Sequence, residues 1–600
     1  MIDVRRTYSS RGFRAAAAAL IGLLVAALML AVGSAGGSRA AGPAVSVFPI
    51  AGSRLGPPGT QITFRGVPAN QLGKITVTGS VSGNHTGKVL SDSDGRGGSF
   101  MPDKPFTPGE RVTVSTGLNI IGGQSGVFHF TVATPAGRLP NRGNVNAART
   151  RGDVLRFHSR PDLLPVAVDV TKRPSHTAHG YIFTAPVRGP LQHGPMILDS
   201  HGGLIWFKPL ASRIFASDFR VQTLNGKPVL TWWQGYFGGD FGSGEDLIYD
   251  TSYHQIGTVK AGNGLSADLH EFQITPQGTA LIAIEYPVIW NASHIHHSSH
   301  AVVYDGVVQE IDIKTGLVLF QWDSLDHVPL ADSYTKFRTG RPYDFFHLNS
   351  IEQDDDGNLL IGGRSVSALY KVNHSTGAVM WQLGGKRSSF KFGAHASFAF
   401  DHDPRVLAKN DALFSIFDNG AGVYRVHKQS RALWLNLNFK TMTATRAKQV
   451  DHSPPLLARW AGDVQQLDRG DTFVGWGEQP YFSEYNSKGK LLFDARFADR
   501  NISYRTYRFD WNGYPKTRPA VAASNRGKTT TVYVSWNGAT GVKRWRVLAG
   551  ASSSSLKSAT TARRTGFETA IKIPRRSHVR VQALDASGHL LGISAVTKSR

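Results

Sequence analysis

Apolar and polar residues alternate over short stretches along most of the chain. Between 45 and 135 the pattern recurs in TQITFRGV, KITVTGSV and GVFHFTVATP, with Gly, Pro, Asn and Asp between the stretches. Alternation at a period of two is typical of half-buried strands, and the separating residues favour turns. The pattern predicts an N-terminal Ig-like β-sandwich over 43–137. A linker over 138–175, richer in Arg, Pro and Asn, is expected to follow it.

A longer element recurs between 176 and 515: a polar turn, then apolar residues that end in an aromatic residue. The marker residues of its six copies, of which the second and fifth are degenerate, are Asp199, Asp250, Asp312, Asn373, His427 and Asn486. A second hairpin element, seen in TPQGTALIAI, DDDGNLLIGG and LDRGDTFVGW, interleaves with the first. Two hairpins give four strands, which is the content of one propeller blade. The repeat therefore predicts an all-β fold with a six-bladed β-propeller over 176–515. A pair of ordinary β-sandwiches is the alternative.

Strand patterns return in the last part of the chain, in TTTVYVSWNG, VKRWRVLAG and HVRVQALDASG. They predict a fibronectin-III-like β-sandwich over 516–600, with a role in packing or surface adhesion.

The first 42 residues have the pattern of a signal peptide or an N-terminal membrane anchor. Four arginines precede an apolar run over 15–32, and small residues follow the run. The order of these features is that of an export signal, and the run is also long enough to span a bilayer. We therefore expect an exported protein, secreted or held at the cell surface, with anchoring through 15–32 as an open alternative.

Composition narrows the possible chemistry. The chain has no cysteine, which excludes thiolate catalysis, cysteine metal sites and disulfides. Its formal net charge is +24, which favours anionic partners. The basic residues are scattered rather than clustered, so no nucleic acid partner is expected. No phosphate-binding loop of the G-x(4)-G-K-[ST] kind is present, and no nucleotide or other cofactor is predicted.

Three histidines precede predicted strands in three different repeats. They are His270 in DLHEFQITPQG, His347 in FFHLNSIEQDDDG and His402 in FDHDPRVL. Asn349 follows His347 by two residues and is expected on the same strand face, and Arg364 ends the return strand of that hairpin. Because the innermost strands of a propeller line its central channel, the five side chains are predicted to converge there.

Such a set allows more than one chemistry. Three histidines could hold a metal ion, or one imidazole could attack an anionic ester while the other groups hold its oxygens. Arg364 favours the second, because guanidinium suits an oxyanion such as sulfate or phosphate. In the alternative of a purely structural role, each histidine only satisfies hydrogen-bonding groups at the end of a strand. No metal is predicted.

The segment from HEFQ through HLNSIEQDDDGNLLIGGR and STGAVMWQLGG to FAFDHD resembles the arylsulfotransferase family, the bacterial PAPS-independent aryl-sulfate sulfotransferases. The resemblance covers about 180–510 and implies a six-bladed propeller that transfers a sulfuryl group from a phenolic sulfate to a phenol. It implies that His402 forms a sulfohistidine, and that His270, His347, Asn349 and Arg364 contact the donor oxygens and the leaving group. The partners implied are small molecules, a phenolic sulfate and a phenol acceptor.

Two other functions remain open at this point. One is a non-catalytic exported propeller that binds carbohydrate or cell-wall polymer. The other is a quinone-dependent dehydrogenase-type propeller, which the lack of a tryptophan-docking repeat disfavours. A propeller fold does not choose among these functions, because unrelated chemistries share it.

Overall fold

The computed structural model describes residues 42–137, 146–295 and 298–600, and this part of the chain is all-β, as the sequence predicts. Its helical segments are single turns: the α-helical turn Ser324–His327 and the 3-10 turns Ala69–Gln71, Arg151–Asp153, Ser293–Ile295, Leu330–Asp332, Lys409–Asp411 and Asp468–Gly470.

Nine strands near the N-terminus form two sheets, in the orders β5-β6-β2-β1-β8 and β4-β3-β7-β9. Their bounds are β1 (Ala44–Phe48), β2 (Ile62–Arg65), β3 (Thr76–Gly79), β4 (Gly83–His85), β5 (Gly87–Ser91), β6 (Gly97–Pro102), β7 (Arg111–Ser115), β8 (Asn119–Ile120) and β9 (Val127–Thr131). Alternate side chains of both sheets, among them Phe64, Phe128 and Phe130, form one buried cluster. The alternation in the sequence arises from this packing.

Six further sheets of four or five strands lie between 168 and 509. The segment begins with β10 (Val168–Lys172), which joins the sixth sheet. The first sheet contains β11 (Tyr181–Pro186), β12 (Met196–Leu198) and β13 (Leu204–Phe207), and the second contains β14 (Phe215–Leu224), β15 (Lys227–Phe237), β16 (Gly242–Tyr249) and β17 (Gln255–Val259). The third contains β18 (Phe272–Ile274), β19 (Ala280–Trp290), β20 (Ala301–Ile311), β21 (Val318–Asp323) and β22 (Tyr343–Asp344). The fourth sheet contains β23 (Leu348–Gln353), β24 (Leu359–Gly363), β25 (Ala368–Val372) and β26 (Val379–Gly384), and the fifth contains β27 (Lys391–Phe392), β28 (His402–Val406), β29 (Leu413–Asp418), β30 (Arg431–Asn438) and β31 (Thr443–Asp451). The sixth contains β32 (Asp463–Gln466), β33 (Thr472–Gly475), β34 (Tyr481–Tyr485) and β35 (Leu491–Phe497). The last strand, β36 (Ser503–Phe509), joins the first sheet.

The six sheets close into a ring. The innermost strand of each sheet lies against the innermost strand of the next sheet, in the order β36, β14, β18, β23, β28, β32 and back to β36. Two strands tie the ends of the segment together, because β36 pairs with β11 and β10 pairs with β35. The ring therefore brings the starts of inner strands that lie far apart in the sequence to one central place.

Eight strands at the C-terminus form two more sheets, in the orders β37-β38-β41 and β40-β39-β42-β43, with β44 paired to β42. Their bounds are β37 (Ala520–Arg526), β38 (Thr529–Ser535), β39 (Arg544–Gly550), β40 (Lys557–Arg563), β41 (Glu568–Pro574), β42 (His578–Leu584), β43 (Leu590–Ile593) and β44 (Thr597–Lys598). They enclose their own buried cluster around Trp545. The amide of Asn537 donates to the carbonyl of Phe207 at 2.9 Å, which fixes this unit to the first sheet of the ring.

One of the six repeat markers was placed wrongly by the sequence. Asp199, Asp250, Asp312, Asn373 and Asn486 lie between the third and fourth strands of their sheets, counted outward from the ring, whereas His427 lies between the second and third. The equivalent turn follows β30, which ends at Asn438. The error arose because the apolar run after His427, RALWL, imitates the aromatic-ended strand of the other copies.

The predicted location also needs correction. No helix among residues 42–137, 146–295 and 298–600 is long and apolar enough to cross a membrane. The run 15–32, on which the prediction of an exported protein, secreted or held at the cell surface, depended, lies outside the described residues. The described part of the chain therefore shows no apolar anchoring segment, and the predicted location is not supported.

Candidate functional site

Four of the five predicted site residues line one cavity of about 780 Å³. His270 comes two residues before β18, His347 directly before β23, and His402 begins β28, so all three stand where an inner strand starts. Arg364, after β24, and Tyr504, in β36, complete this part of the wall. The volume suits a drug-sized aromatic ligand.

His270 is almost fully buried and is held by a carboxylate. Its Nδ1 donates to Asp268 Oδ1, whereas no described residue forms a hydrogen bond with its Nε2. A carboxylate can only accept, so Asp268 fixes the tautomer in which Nε2 carries the lone pair. Burial lowers the pKa of His270 although Asp268 acts in the opposite direction. His270 is therefore arranged as a neutral base.

His347 forms a second histidine–carboxylate pair. Its Nδ1 donates to Asp344 Oδ2 at 2.6 Å, and the centre of its ring lies 5.0 Å from that of His270. The backbone of His347 has a φ of 58°, in the left-handed region, which turns the side chain out of the strand pattern. Within the described part of the chain, its Nε2 also has no hydrogen-bond partner. The two imidazoles thus present neighbouring reactive nitrogens to the cavity.

His402 differs from both, because each of its ring nitrogens has a partner. Nδ1 donates to Asn419 Oδ1 at 2.8 Å, and Nε2 accepts from the backbone N–H of Ala461 at 3.0 Å. Asn419 is itself fixed by bonds from its Nδ2 to the carbonyls of Ala458 and Ala461. Burial and the charge of Arg364 hold the pKa of His402 well below its usual value. The ring is therefore neutral, with its lone pair on Nε2.

Arg364 is a cation without an ion pair among the described residues. Its Nη2 donates to the carbonyl of Arg459 at 2.9 Å, its guanidinium lies 5.8 Å from the centre of the Phe400 ring, and its buried Nε has no acceptor. Burial lowers its pKa. Arg364 as a whole is half-buried, but a buried guanidinium N–H without an acceptor is costly unless an anion compensates it, so this part of the cavity favours an oxyanion.

The structure does not place Asn349 with the other four. Asn349 is fully buried and outside the cavity lining, and its Nδ2 donates to the carbonyl of Asp401 at 2.6 Å. The expectation that it shares a face with His347 was wrong. The left-handed backbone at His347 and a register shift between Leu348 and Ser350 break the alternation on which it rested.

The backbone of Asn349 nevertheless supports the site. Its carbonyl accepts hydrogen bonds from Tyr504 Oη at 3.2 Å and from Arg505 Nη2 at 2.9 Å. The Tyr504 ring lies 5.2 Å from His270 and 6.1 Å from His402, centre to centre. Asn349 thus helps to hold the aromatic ring that separates these two histidines.

A buried cluster of charges adjoins the site. Glu271 accepts from Arg405 Nη2 at 2.7 Å and from Arg505 Nη1 at 3.1 Å, and Arg220 binds its other oxygen. Although burial opposes ionisation, the three arginines hold the pKa of Glu271 well below its usual value. Charge-assisted bonds of this kind fix geometry strongly.

The cluster is joined to the site through adjacent residues of the chain. Glu271 follows His270, Asp403 follows His402, and Arg505 follows Tyr504. Asp403 accepts from Arg405 at 2.6 Å, so it belongs to the same network. Three side chains of the cavity wall are therefore held by the residue next to each of them, all in one rigid ionic unit.

Aromatic rings form much of the outer wall of the cavity: Phe215, Phe237, Tyr343 and Trp460. Phe215 and Phe237 stack with centres 4.5 Å apart. Such walls suit a planar aromatic ligand, since ring pairs gain from stacked or edge contacts. No group of three or more His, Asp or Glu side chains in the described ranges is placed to hold a metal ion.

Sequence reasoning missed Asp268, Asp344, Asn419 and Tyr504. Two of them had a signal, because Asp268 and Asp344 precede His270 and His347 by two and three residues. Asn419 and Tyr504 had none. They reach the site only through ring closure, from the far end of β29 and from β36.

Residues 220–498 match the model of the arylsulfotransferase (ASST) family. No protein with a curated description matches the chain in sequence. Among solved structures, the chain is similar to a protein of unknown function from Bacteroides caccae, at 14% identity and a TM-score of 0.34, over 55% of this chain and 98% of that one. It is also similar to the periplasmic gluconolactonase PpgL of Pseudomonas aeruginosa, at 10% identity and a TM-score of 0.31, over 70% of this chain and 96% of that one. The family match contains all five predicted site residues, and it confirms the predicted resemblance to the arylsulfotransferase (ASST) family over this segment.

Proposed function

We propose that the protein moves a sulfuryl group from a phenolic sulfate ester to a phenol through a sulfohistidine at His402, without the nucleotide donor PAPS. The observation that carries the proposal is the unpaired Arg364 guanidinium, in one cavity with three histidines and beside aromatic walls. The family match supports small aryl substrates. An aryl sulfate has one anionic group and one ring, and the cavity offers a site for each.

In the first half of the reaction Nε2 of His402 attacks the sulfur of the donor. The Nε2–S bond forms, the bond from sulfur to the aryl oxygen breaks, and the electron pair leaves with the phenolate. The ring of His402 then bears a positive charge, with its Nδ1–H still bonded to Asn419 Oδ1. Arg364 contacts the sulfuryl oxygens, and His347, in its protonated form, gives a proton to the phenolate.

In the second half a phenol acceptor takes the place of the first product. His347, or His270 with transfer of the proton on to His347, removes the phenolic proton through its free Nε2, so that His347 regains the proton it gave in the first half. The phenolate attacks sulfur, and the N–S bond breaks. His402 returns to its neutral form. The Asp268 and Asp344 carboxylates stabilise the imidazolium formed on their partners. Because the site is used by one aryl group after the other, the kinetics are expected to be ping-pong.

The hydrogen bond from Ala461 to His402 has a role in this scheme. While the N–H of Ala461 occupies Nε2, that nitrogen cannot attack. Arg459 and Trp460, which precede Ala461, line the cavity, and Arg364 donates to the carbonyl of Arg459. An oxyanion at Arg364 would compete with that carbonyl. Binding of the donor would thereby loosen residues 459–461 and free Nε2.

The fold that we propose for this function is a six-bladed propeller. The closed ring of inner strands and the two strands exchanged between its ends support it. The units over 43–137 and 516–600 are proposed as an Ig-like and a fibronectin-III-like sandwich. Their separate buried clusters support this division. The linker predicted over 138–175 is proposed to end before β10, because that strand belongs to the sixth sheet of the ring.

Arg364→Gln is expected to lower kcat/KM for sulfuryl transfer about 10²- to 10³-fold, because glutamine cannot supply the charge that stabilises the sulfuryl oxygens. Arg364→Lys keeps the charge without the planar fork and should recover part of the loss. The measurement is acceptor-dependent release of nitrophenolate from 4-nitrophenyl sulfate. Equal rates for the wild type and Arg364→Gln would contradict the role given to Arg364.

The pH profile tests the electrostatics of His402. The lowered pKa of His402 keeps Nε2 unprotonated as the pH falls through 6.5. The acid limb of the pH dependence of kcat/KM should therefore lie well below that value. In Arg364→Gln a neighbouring positive charge is lost, protonation becomes easier, and the limb should move to higher pH. A limb in the variant at or below the wild-type position would argue against this coupling.

A further inference from the structure

The mouth of the cavity carries more positive charge than one sulfate ester requires. Four exposed cations line it: Arg188, Lys336, Arg338 and Arg341. None of the four forms an ion pair with a described residue. Arg459, also on the rim, differs because it is paired with Glu478. Unpaired cations that converge on a cleft raise the local concentration of anions there.

Three of these cations belong to one short closed loop. Thr335 Oγ1 donates to the carbonyl of Asp344 at 2.8 Å, and Tyr343 Oη donates to the carbonyl of Thr335 at 3.2 Å. These bonds join the two ends of the segment 335–344. Inside it the N–H of Arg341 donates to the carbonyl of Arg338 at 3.1 Å, which forms a turn. The loop therefore has a defined shape and holds its cations over the cavity.

The fourth cation lies on another segment of the wall. The Arg188 guanidinium lies 5.2 Å from the centre of the Trp460 ring. This contact keeps the arginine extended over an aromatic surface and leaves its N–H groups free for an oxyanion. The lining has only two carboxylates, Asp240 and Asp344, and Asp344 is bonded to His347. The wall thus has little negative charge to compensate the cations.

We propose that the mouth is a second anion subsite, which binds a carboxylate on the aryl substrate at the end of the molecule away from the transferred sulfuryl group. This inference rests on the proposed function. A sulfate ester has one negative charge, which Arg364 matches at the site of transfer. The cations of the loop 335–344 then match a second negative charge, that of the carboxylate. Arginine pairs favour a planar carboxylate, and the aromatic wall between the two places accommodates the ring.

The test compares two phenol acceptors of equal shape, 3-(4-hydroxyphenyl)propanoate and its primary amide, with 4-nitrophenyl sulfate as donor and the full chain as enzyme. At low salt, kcat/KM is expected to be about tenfold higher for the acid than for the amide, and added salt should reduce the ratio. In the variant Lys336→Gln/Arg338→Gln/Arg341→Gln the ratio should fall to about one, with kcat/KM for the amide unchanged. A ratio of one in the wild type, or an unchanged ratio in the variant, would overturn the subsite.

A matched variant removes three exposed cations that do not line the cavity, Lys440→Gln/Lys488→Gln/Lys490→Gln. This variant should keep the wild-type ratio of kcat/KM for the acid to that for the amide. If it loses the ratio, the effect comes from the net charge of the protein alone, and the subsite is overturned. Calorimetric titration of the acid and the amide separates this proposal from the proposed function. If neither acceptor is sulfated, the proposed function is wrong, while tighter binding of the acid that disappears only in the loop variant still supports the subsite. Equal binding of the two compounds would contradict it.

Discussion

Replacement of His402 by alanine is expected to lower kcat for sulfuryl transfer about 10⁴-fold, while the protein stays folded. The nucleophile of a covalent mechanism has no substitute, and what remains comes from binding and from contacts to the transferred group. His347→Ala and His270→Ala remove only proton transfer and should cost about 10²- to 10³-fold. The measurement is the same release of nitrophenolate, with and without acceptor.

His452→Ala is the matched control for this prediction. His452 is also buried and also has partners on both ring nitrogens, the carbonyl of Pro454 and Asp494 Oδ1, but it does not line the cavity. Its variant should keep kcat within a few-fold, because it loses packing and hydrogen bonds of the same kind without touching the substrate. If His402→Ala kept its activity while His347→Ala or His270→Ala lost it, the nucleophile would be one of those two residues.

The second large effect concerns stability. Glu271→Gln is expected to lower the free energy of unfolding by about 3–5 kcal/mol, because it leaves three buried arginines without their shared carboxylate. Glu245 offers a control of equal chemistry. It is partly exposed and lies 3.5 Å from an exposed Lys260, so Glu245→Gln should cost less than about 1 kcal/mol. Urea unfolding of both variants gives the comparison, and similar losses in the two would contradict the role of the cluster.

The pH dependence of stability follows from the same carboxylate. Its pKa in the folded protein lies below the unfolded value of 4.5. The ion cluster therefore stabilises the fold fully above that value, and the stabilisation falls as the pH drops below it. Glu271→Gln should remove this part of the acid sensitivity. The positions of His270, His402 and Tyr504 depend on the cluster, so the variant should also lose activity.

The features that the sequence predicted well have short-range signals. The all-β class and the resemblance to the arylsulfotransferase family over 220–498 are confirmed, and the hairpin of β23 and β24 closes across residues 354–358 as the alternation predicts. The three histidines could be found because each stands at the start of an alternating strand or within two residues before it. His427 shows the weakness of such signals, because an apolar run of the right composition marked the wrong strand of its sheet.

What could not be predicted depends on the closure of the ring. Arg505 and Tyr504 lie about 100 residues beyond the last predicted site residue, yet they contact Glu271 and Asn349. The direction of the Asn349 side chain depended on the left-handed backbone at His347 and on the register shift after Leu348, which no periodicity reveals. The contact between Ala461 and His402 joins two neighbouring sheets of the ring. Packing across sheets, rather than local pattern, determines these parts of the site.

The central claim is that the sulfuryl group passes through His402. The most direct measurement mixes the protein with an excess of 4-nitrophenyl sulfate without acceptor, quenches it in base, and determines the intact mass and the modified peptide. We expect a burst of nitrophenolate stoichiometric with enzyme, a mass increase of one SO₃, and its location on His402. The mark should disappear when the excess donor is removed and phenol is then added before the quench. A burst without a covalent mark, or a mark on His270 or His347, would contradict the account.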